Sequence, residues 1–130
     1  MNASNRPLCM PNTRVKLLLD TSDWLARPAA ATEDKRIFWL HGVAGSGKTT
    51  FATTVAHFFR VQHRLGAFIF FNQDRPADST PSRAIQTLAA QLATFDARIG
   101  RAVVEAIKSN LGVQQSPRQQ FDQLIATPLK

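Results

Sequence analysis

Residues 42–49 read Gly42-Val43-Ala44-Gly45-Ser46-Gly47-Lys48-Thr49. They match the Walker A template, Gly, four residues, Gly-Lys-Ser/Thr, at every fixed position. Chance produces that match with a probability on the order of 10⁻⁵ to 10⁻⁴ per starting residue, so the pattern is a specific signal in a short chain. The residue types fit phosphate chemistry. Glycines reach positive φ and let the backbone approach a ligand without an intervening Cβ. Successive N–H groups can then converge into a concavity that holds an anion. A helix starting at Lys48 would aim its unsatisfied N–H groups and positive dipole end at the same point. Lys48 would reach the β- and γ-phosphates, and the Thr49 hydroxyl would ligate Mg²⁺. Thr50 either supports Thr49 or is simply the next helical residue. The nucleotide-binding set is therefore Gly42, Val43, Ala44, Gly45, Ser46, Gly47, Lys48, Thr49 and Thr50, with ATP or GTP and Mg²⁺ as the expected ligands.

The elements that must position this loop follow from the flanking pattern. Arg36-Ile37-Phe38-Trp39-Leu40 is a short apolar run and predicts a buried strand. Lys48 to Leu65 predicts a helix, with Phe51, Val55, Phe58 and Phe59 on one face and a stop at Gly66. Ala67-Phe68-Ile69-Phe70-Phe71-Asn72 predicts a second buried strand. Before the loop, Thr13 to Arg27 predicts a helix capped by Asn12 or Thr13. That helix takes in Leu17-Leu18-Leu19-Asp20, a run that imitates a Walker B strand. Pro28 to Asp34 reads as a linker. After a loop at 73–80, Ser79 or Thr80 caps a helix with the stripe Ile85, Leu88, Ala89 and Leu92. Asp96 opens another helix, with Ile99, Val103 and Ile107, that stops near Gly112. Ser116-Pro117-Arg118-Gln119 is a capping box leading into Phe121, Leu124 and Ile125. The expected class is thus α/β, strand–Walker A–helix–strand plus following helices. Its division is a lead-in at 1–12, a helix and linker at 13–35, and the loop-bearing domain at 36–130.

Composition narrows the function. Sixteen Lys and Arg oppose nine Asp and Glu, but the positive residues are scattered, with no block of like charge. With no tyrosine, and phenylalanines set in apolar runs, this argues against specific nucleic-acid binding. The single Cys9 excludes an internal disulfide and fits a reducing, cytoplasmic setting. No stretch has the span of a membrane helix, and Met1 to Met10 lacks the apolar core of a secretory signal.

The order of features resembles the NACHT-type P-loop domain of fungal STAND signalling NTPases, also described as the nephrocystin-like N-terminal domain. Cys9 with Thr13-Arg14 and Trp24 is similar to a Cys-x-x-Gly-Thr-Arg segment and tryptophan helix of that family. Ile37 to Gly42 leading into the Walker A, the aromatic run Gly66 to Phe71, Gln91-Leu92, Gln120-Phe121 through Leu124-Ile125, and Pro128-Leu129 carry the rest. Asn12 stands where the family has glycine, and asparagine tolerates the left-handed conformation such a turn needs. The resemblance implies a nucleotide-dependent signalling switch, protein partners or self-association, and a place for Arg14 near the base. In the family a strand ending in acids, the Walker B, comes next. Nothing after Thr49 reads that way, so the expected product is a truncated domain with exposed apolar faces. No residue is assigned a catalytic role, and hydrolysis by this chain alone is not expected. Two other readings stand beside the switch. One is a small phosphoryl-transfer kinase, for which Asp74 or Asp78 would have to orient the nucleophile. The other is a non-catalytic interaction fragment.

Overall fold

The computed structural model describes residues 7–27, 37–71, 79–109 and 115–130. The chain forms two compact units, one within Asn5–His63 and one within Arg64–Lys130. Helices build both. In the first are α1 (Val15–Ala26) and α2 (Lys48–Val61); in the second are α3 (Pro81–Phe95), α4 (Ala97–Ser109) and α5 (Pro117–Phe121), which runs into a π-helical turn, Asp122–Ala126.

The expected α/β class is not what the chain forms, because no strand occurs among the described residues. Over its described residues neither predicted strand has a ladder, and a strand exists only through a neighbour that takes its N–H and C=O groups. Over Ile37–Leu40 the side chains alternate as extended backbone requires. Ile37 and Trp39 are 85% and 81% exposed. Phe38 turns the other way and meets the Trp24 ring at 5.6 Å. The run was expected to be buried; one face is open and the other only partly covered, with Phe38 still 42% exposed. Residue 36 lies outside the described residues, as does residue 72 at the end of the second run.

The second run finds a substitute for a ladder. The Phe68 N–H donates to Gln91 Oε1 at 2.8 Å, and Gln91 Nε2 donates to the Phe68 carbonyl at 3.1 Å. One side-chain amide on α3 thus satisfies the two groups that a neighbouring strand residue would take. Phe68 and Phe70, two residues apart on one side of the extended chain, pack edge to face at 4.7 Å. Gly66 does not end α2. That helix stops at Val61, and His63 takes the left-handed turn, with φ 54°. Gly66 instead admits Leu92, whose Cδ2 would lie 3.1 Å from an added Cβ.

Helix starts follow the sequence closely in the second unit. The Thr80 hydroxyl accepts from the Arg83 N–H at 3.3 Å, with Pro81 in the first turn. At Ser116 both halves of the capping box form: Gln119 Oε1 accepts from the Ser116 N–H at 2.9 Å, and the Ser116 hydroxyl accepts from the Gln119 N–H at 3.4 Å. Between these helices the core is Ala89, Val103 and Ile125, flanked by Ile85, Leu88, Leu92, Ile99 and Leu124. Gly100 lets α4 approach α3 closely, since an added Cβ would sit 2.7 Å from the Ala93 carbonyl oxygen.

The first unit is built differently. Phe51, Ala56 and Phe59 of α2 are buried, while Phe58, expected on the same face, is exposed. α1 takes in Leu17-Leu18-Leu19-Asp20, as the helical reading required. Its N-terminus has no side-chain cap: the Thr13 hydroxyl donates to the Met10 carbonyl at 2.6 Å instead. The turn before it uses left-handed conformations at Asn12, φ 61°, and Arg14, φ 55°.

Candidate functional site

The loop between Gly42 and α2 is shaped by its glycines. The Ser46 N–H donates to the Val43 carbonyl at 3.2 Å, closing a four-residue turn. Gly45 is the third residue of that turn and carries φ +75°, the position at which a type II turn demands a residue free of Cβ clash. Gly47 is the N-cap of α2 with φ +77°. Having no side chain, it cannot cap the helix itself. The first main-chain bond of the helix runs from the Phe51 N–H to the Gly47 carbonyl at 3.0 Å. The N–H groups of Lys48, Thr49 and Thr50 therefore have no intrahelical acceptor and remain open to an external one.

Two cations hold the loop's carbonyls. Lys48 Nζ donates to the carbonyls of Gly42 and Val43 at 2.7 and 2.8 Å. Arg14 Nη1 donates to the Gly47 carbonyl at 3.0 Å, and Arg14 Nη2 donates to the Ser46 carbonyl. The Thr49 side chain is exposed at the first turn of α2, where it could ligate a metal. Gly42 leaves room for the Ser46 hydroxyl, which would stand 3.0 Å from an added Cβ. Residues Gly42 to Thr50 thus form one continuous loop and helix start, and Arg14 joins them from the segment before α1.

Two more bonds tie that segment down. Cys9 donates its N–H to the Thr54 hydroxyl at 2.9 Å, and Thr54 in turn donates to the Thr50 carbonyl at 2.8 Å. The hydroxyls of Thr53 and Thr54 bond back four residues along α2, which satisfies them inside the helix despite their weak helix propensity. The resemblance points Arg14 toward the base, whereas here it holds the Ser46 and Gly47 carbonyls, a grip that no periodic pattern in the sequence signals. Only the left-handed residues around it, and the glycine opposite, hint that backbone passes close there.

Of the acids considered for phosphoryl transfer, Asp74 and Asp78 lie outside the described residues. Arg98 is engaged with Asp96, its Nη2 at 3.0 Å from Oδ2. Asp96 also accepts the Arg98 N–H at 2.7 Å at the head of α4. The side-chain and backbone bonds from Arg98 hold the Asp96 carboxyl down to about 2, against an ordinary value of 3.8. This acid–arginine pair caps a helix start. Among the described residues, no three His, Cys, Asp or Glu side chains gather as a metal-ion cluster. No helix among them is long and apolar enough to cross a membrane.

No curated protein and no solved structure matches the chain. The family described as nephrocystin 3, N-terminal, matches it over residues 16–130, from the first turn of α1 through the Gly42–Thr50 loop to the last residue. With that share of its length matched, the chain belongs to the nephrocystin 3 N-terminal family.

Proposed function

We propose that this chain binds a nucleoside triphosphate, ATP or GTP, with Mg²⁺ through the loop Gly42–Thr50, in a cytoplasmic signalling switch of the NACHT or STAND type. The observation that carries the reading is the start of α2. Three consecutive N–H groups stand open there, at Lys48, Thr49 and Thr50, beside two positive-φ glycines and one flexible ammonium. Lys48 rests on two loop carbonyls, and an arriving phosphate would draw it away as a stronger, charged acceptor. Thr49 would ligate Mg²⁺ through its hydroxyl, and Thr50 extends the first turn behind it. The reading rests on a loop and a helix start and needs no sheet.

A triphosphate bound here would reorganise the loop it touches, which is how the γ-phosphate biases a two-state switch. The second reading, a non-catalytic interaction fragment, is favoured by Ile37, Trp39 and Val43, which leave large apolar surface exposed beside the loop.

Calorimetric titration of the chain with a Mg²⁺-bound non-hydrolysable ATP analogue, and with its GTP counterpart, tests the first reading. Lys48→Ala should weaken binding by about tenfold to hundredfold, the worth of a charge-assisted bond to phosphate. Equal affinity in that variant, or no heat of binding in the unsubstituted chain, refutes it.

A further inference from the structure

We infer that Arg14 is a positioning residue for the phosphate loop: by holding the Ser46 and Gly47 carbonyls it turns the Gly47 and Lys48 N–H groups toward the anion. This rests on the triphosphate reading and adds to it how the loop is kept ready.

A trans peptide is planar, with its C=O and N–H pointing in opposite directions. Fixing a carbonyl therefore fixes the direction of the next residue's N–H. Arg14 holds two in succession: Ser46 through Nη2, and Gly47 through Nη1 beside the Phe51 N–H that also donates to that carbonyl. The N–H groups so aimed belong to Gly47 and Lys48, the last of the loop and the first of α2. The planar guanidinium takes the two carbonyls through separate nitrogens in a fixed fork, so it sets their relative direction as well as their distance.

Both sides of the contact have left-handed backbone. Arg14 sits at φ 55°, a left-handed conformation uncommon for a long side chain, in a turn where Asn12 is also left-handed. Opposite, an added Cβ on Gly47 would fall 2.8 Å from Arg14 Nη2. Gly47 is a glycine because of its φ of +77°, and the guanidinium that lies against it is a flexible tip that an added Cβ would displace. Arg14 occupies the carbonyl side of these peptides, so it acts on the anion through the backbone and not by contact. The bonds that anchor its segment, Cys9 to Thr54 and Thr13 to Met10, keep the arginine in register with the start of α2.

The test compares the full chain with Arg14→Gln and Arg14→Lys, using amide-resolved NMR without ligand and calorimetry with the Mg²⁺-bound ATP analogue. In the free chain, Arg14→Gln should shift the Gly47 and Lys48 amide signals and speed their hydrogen exchange, with α2 helicity unchanged. Its affinity for the analogue should fall about tenfold to hundredfold through loss of charge-assisted bonds, with Arg14→Lys in between. Unmoved Gly47 and Lys48 amides in the free Arg14→Gln chain overturn the inference, whatever the chain binds. So does full affinity in that variant while Lys48→Ala is weakened, an outcome that leaves the triphosphate reading standing. No binding by the unsubstituted chain ends the triphosphate reading and the inference together. If Arg14→Gln does not fold, Arg14→Lys carries the same comparisons, and equality with the unsubstituted chain in both measurements overturns the inference.

Discussion

The two units are held together by different means. Within Arg64–Lys130, α3, α4 and the π-helical turn close on one apolar centre, Ala89, Val103 and Ile125, and the helix starts are capped by their own sequence. Within Asn5–His63, much of the order around the loop comes from polar contacts to main chain: Arg14 and Lys48 on loop carbonyls, Cys9 on Thr54. Its apolar residues are less thoroughly used, with Ile37, Trp39 and Phe58 exposed. Burial is non-directional and tolerates small shifts, whereas hydrogen bonds to a loop fix where each backbone group points. The contrast is between packing around one apolar centre and directed bonds to main chain around the loop.

The difference can be broken from either side. The largest effect should come from the apolar centre. Ile125→Ala should cost about 2–5 kcal/mol of stability, from lost transfer energy and the cavity left behind. Urea unfolding followed by circular dichroism measures it, and triphosphate affinity should stay unchanged if the loop is independent of that packing. Gly100→Ala should cost about 1–3 kcal/mol, since its Cβ would meet backbone, the Ala93 carbonyl, which can yield only by moving α3 from α4. A melting curve unchanged by this substitution would show the helices free to separate without loss. Ser116→Ala should cost about 1 kcal/mol, the usual value of a helix cap, read in the same denaturation experiment.

The smallest effect concerns pH. The Asp96 carboxyl is held to about 2 in the folded chain, below its ordinary 3.8. A depressed folded value means that its contribution is complete above about pH 4 and is lost as the pH falls toward 2. The group is exposed, so the change should be modest. Helicity of the unsubstituted chain should decline through that window more than that of Asp96→Asn, which has no carboxyl to protonate. Parallel curves would remove the capping role assigned to the pair.

These contrasts also explain what the sequence disclosed. The stripe Ile85, Leu88, Ala89 and Leu92 and the capping box at Ser116 are local patterns, and both appear as read. The strands failed because a strand is not a local property. Ile37–Leu40 has the composition and even the alternation of a strand, but no ladder neighbour, and Phe68 is satisfied by the side chain of Gln91. Helix ends were legible where a cap supplied them and not where tertiary contacts did. Gly66, an expected stop, was engaged by Leu92, and His63 turned the chain instead. Two of the loop's glycines, Gly45 and Gly47, take the positive φ that the glycine pattern anticipates. Arg14's hold on the loop was not legible, because a bond between a side chain and carbonyls more than thirty residues away leaves no periodic trace.

The central claim is that main-chain N–H groups at the start of α2 receive a phosphate. Titrating the isotope-labelled chain with the Mg²⁺-bound ATP analogue, and following every backbone amide by NMR, tests it most directly. Saturable downfield shifts concentrated at Gly45, Gly47, Lys48 and Thr49, with the amides of α3 and α4 still, are the expected result. Shifts absent from that loop, or spread evenly over both units, would contradict it.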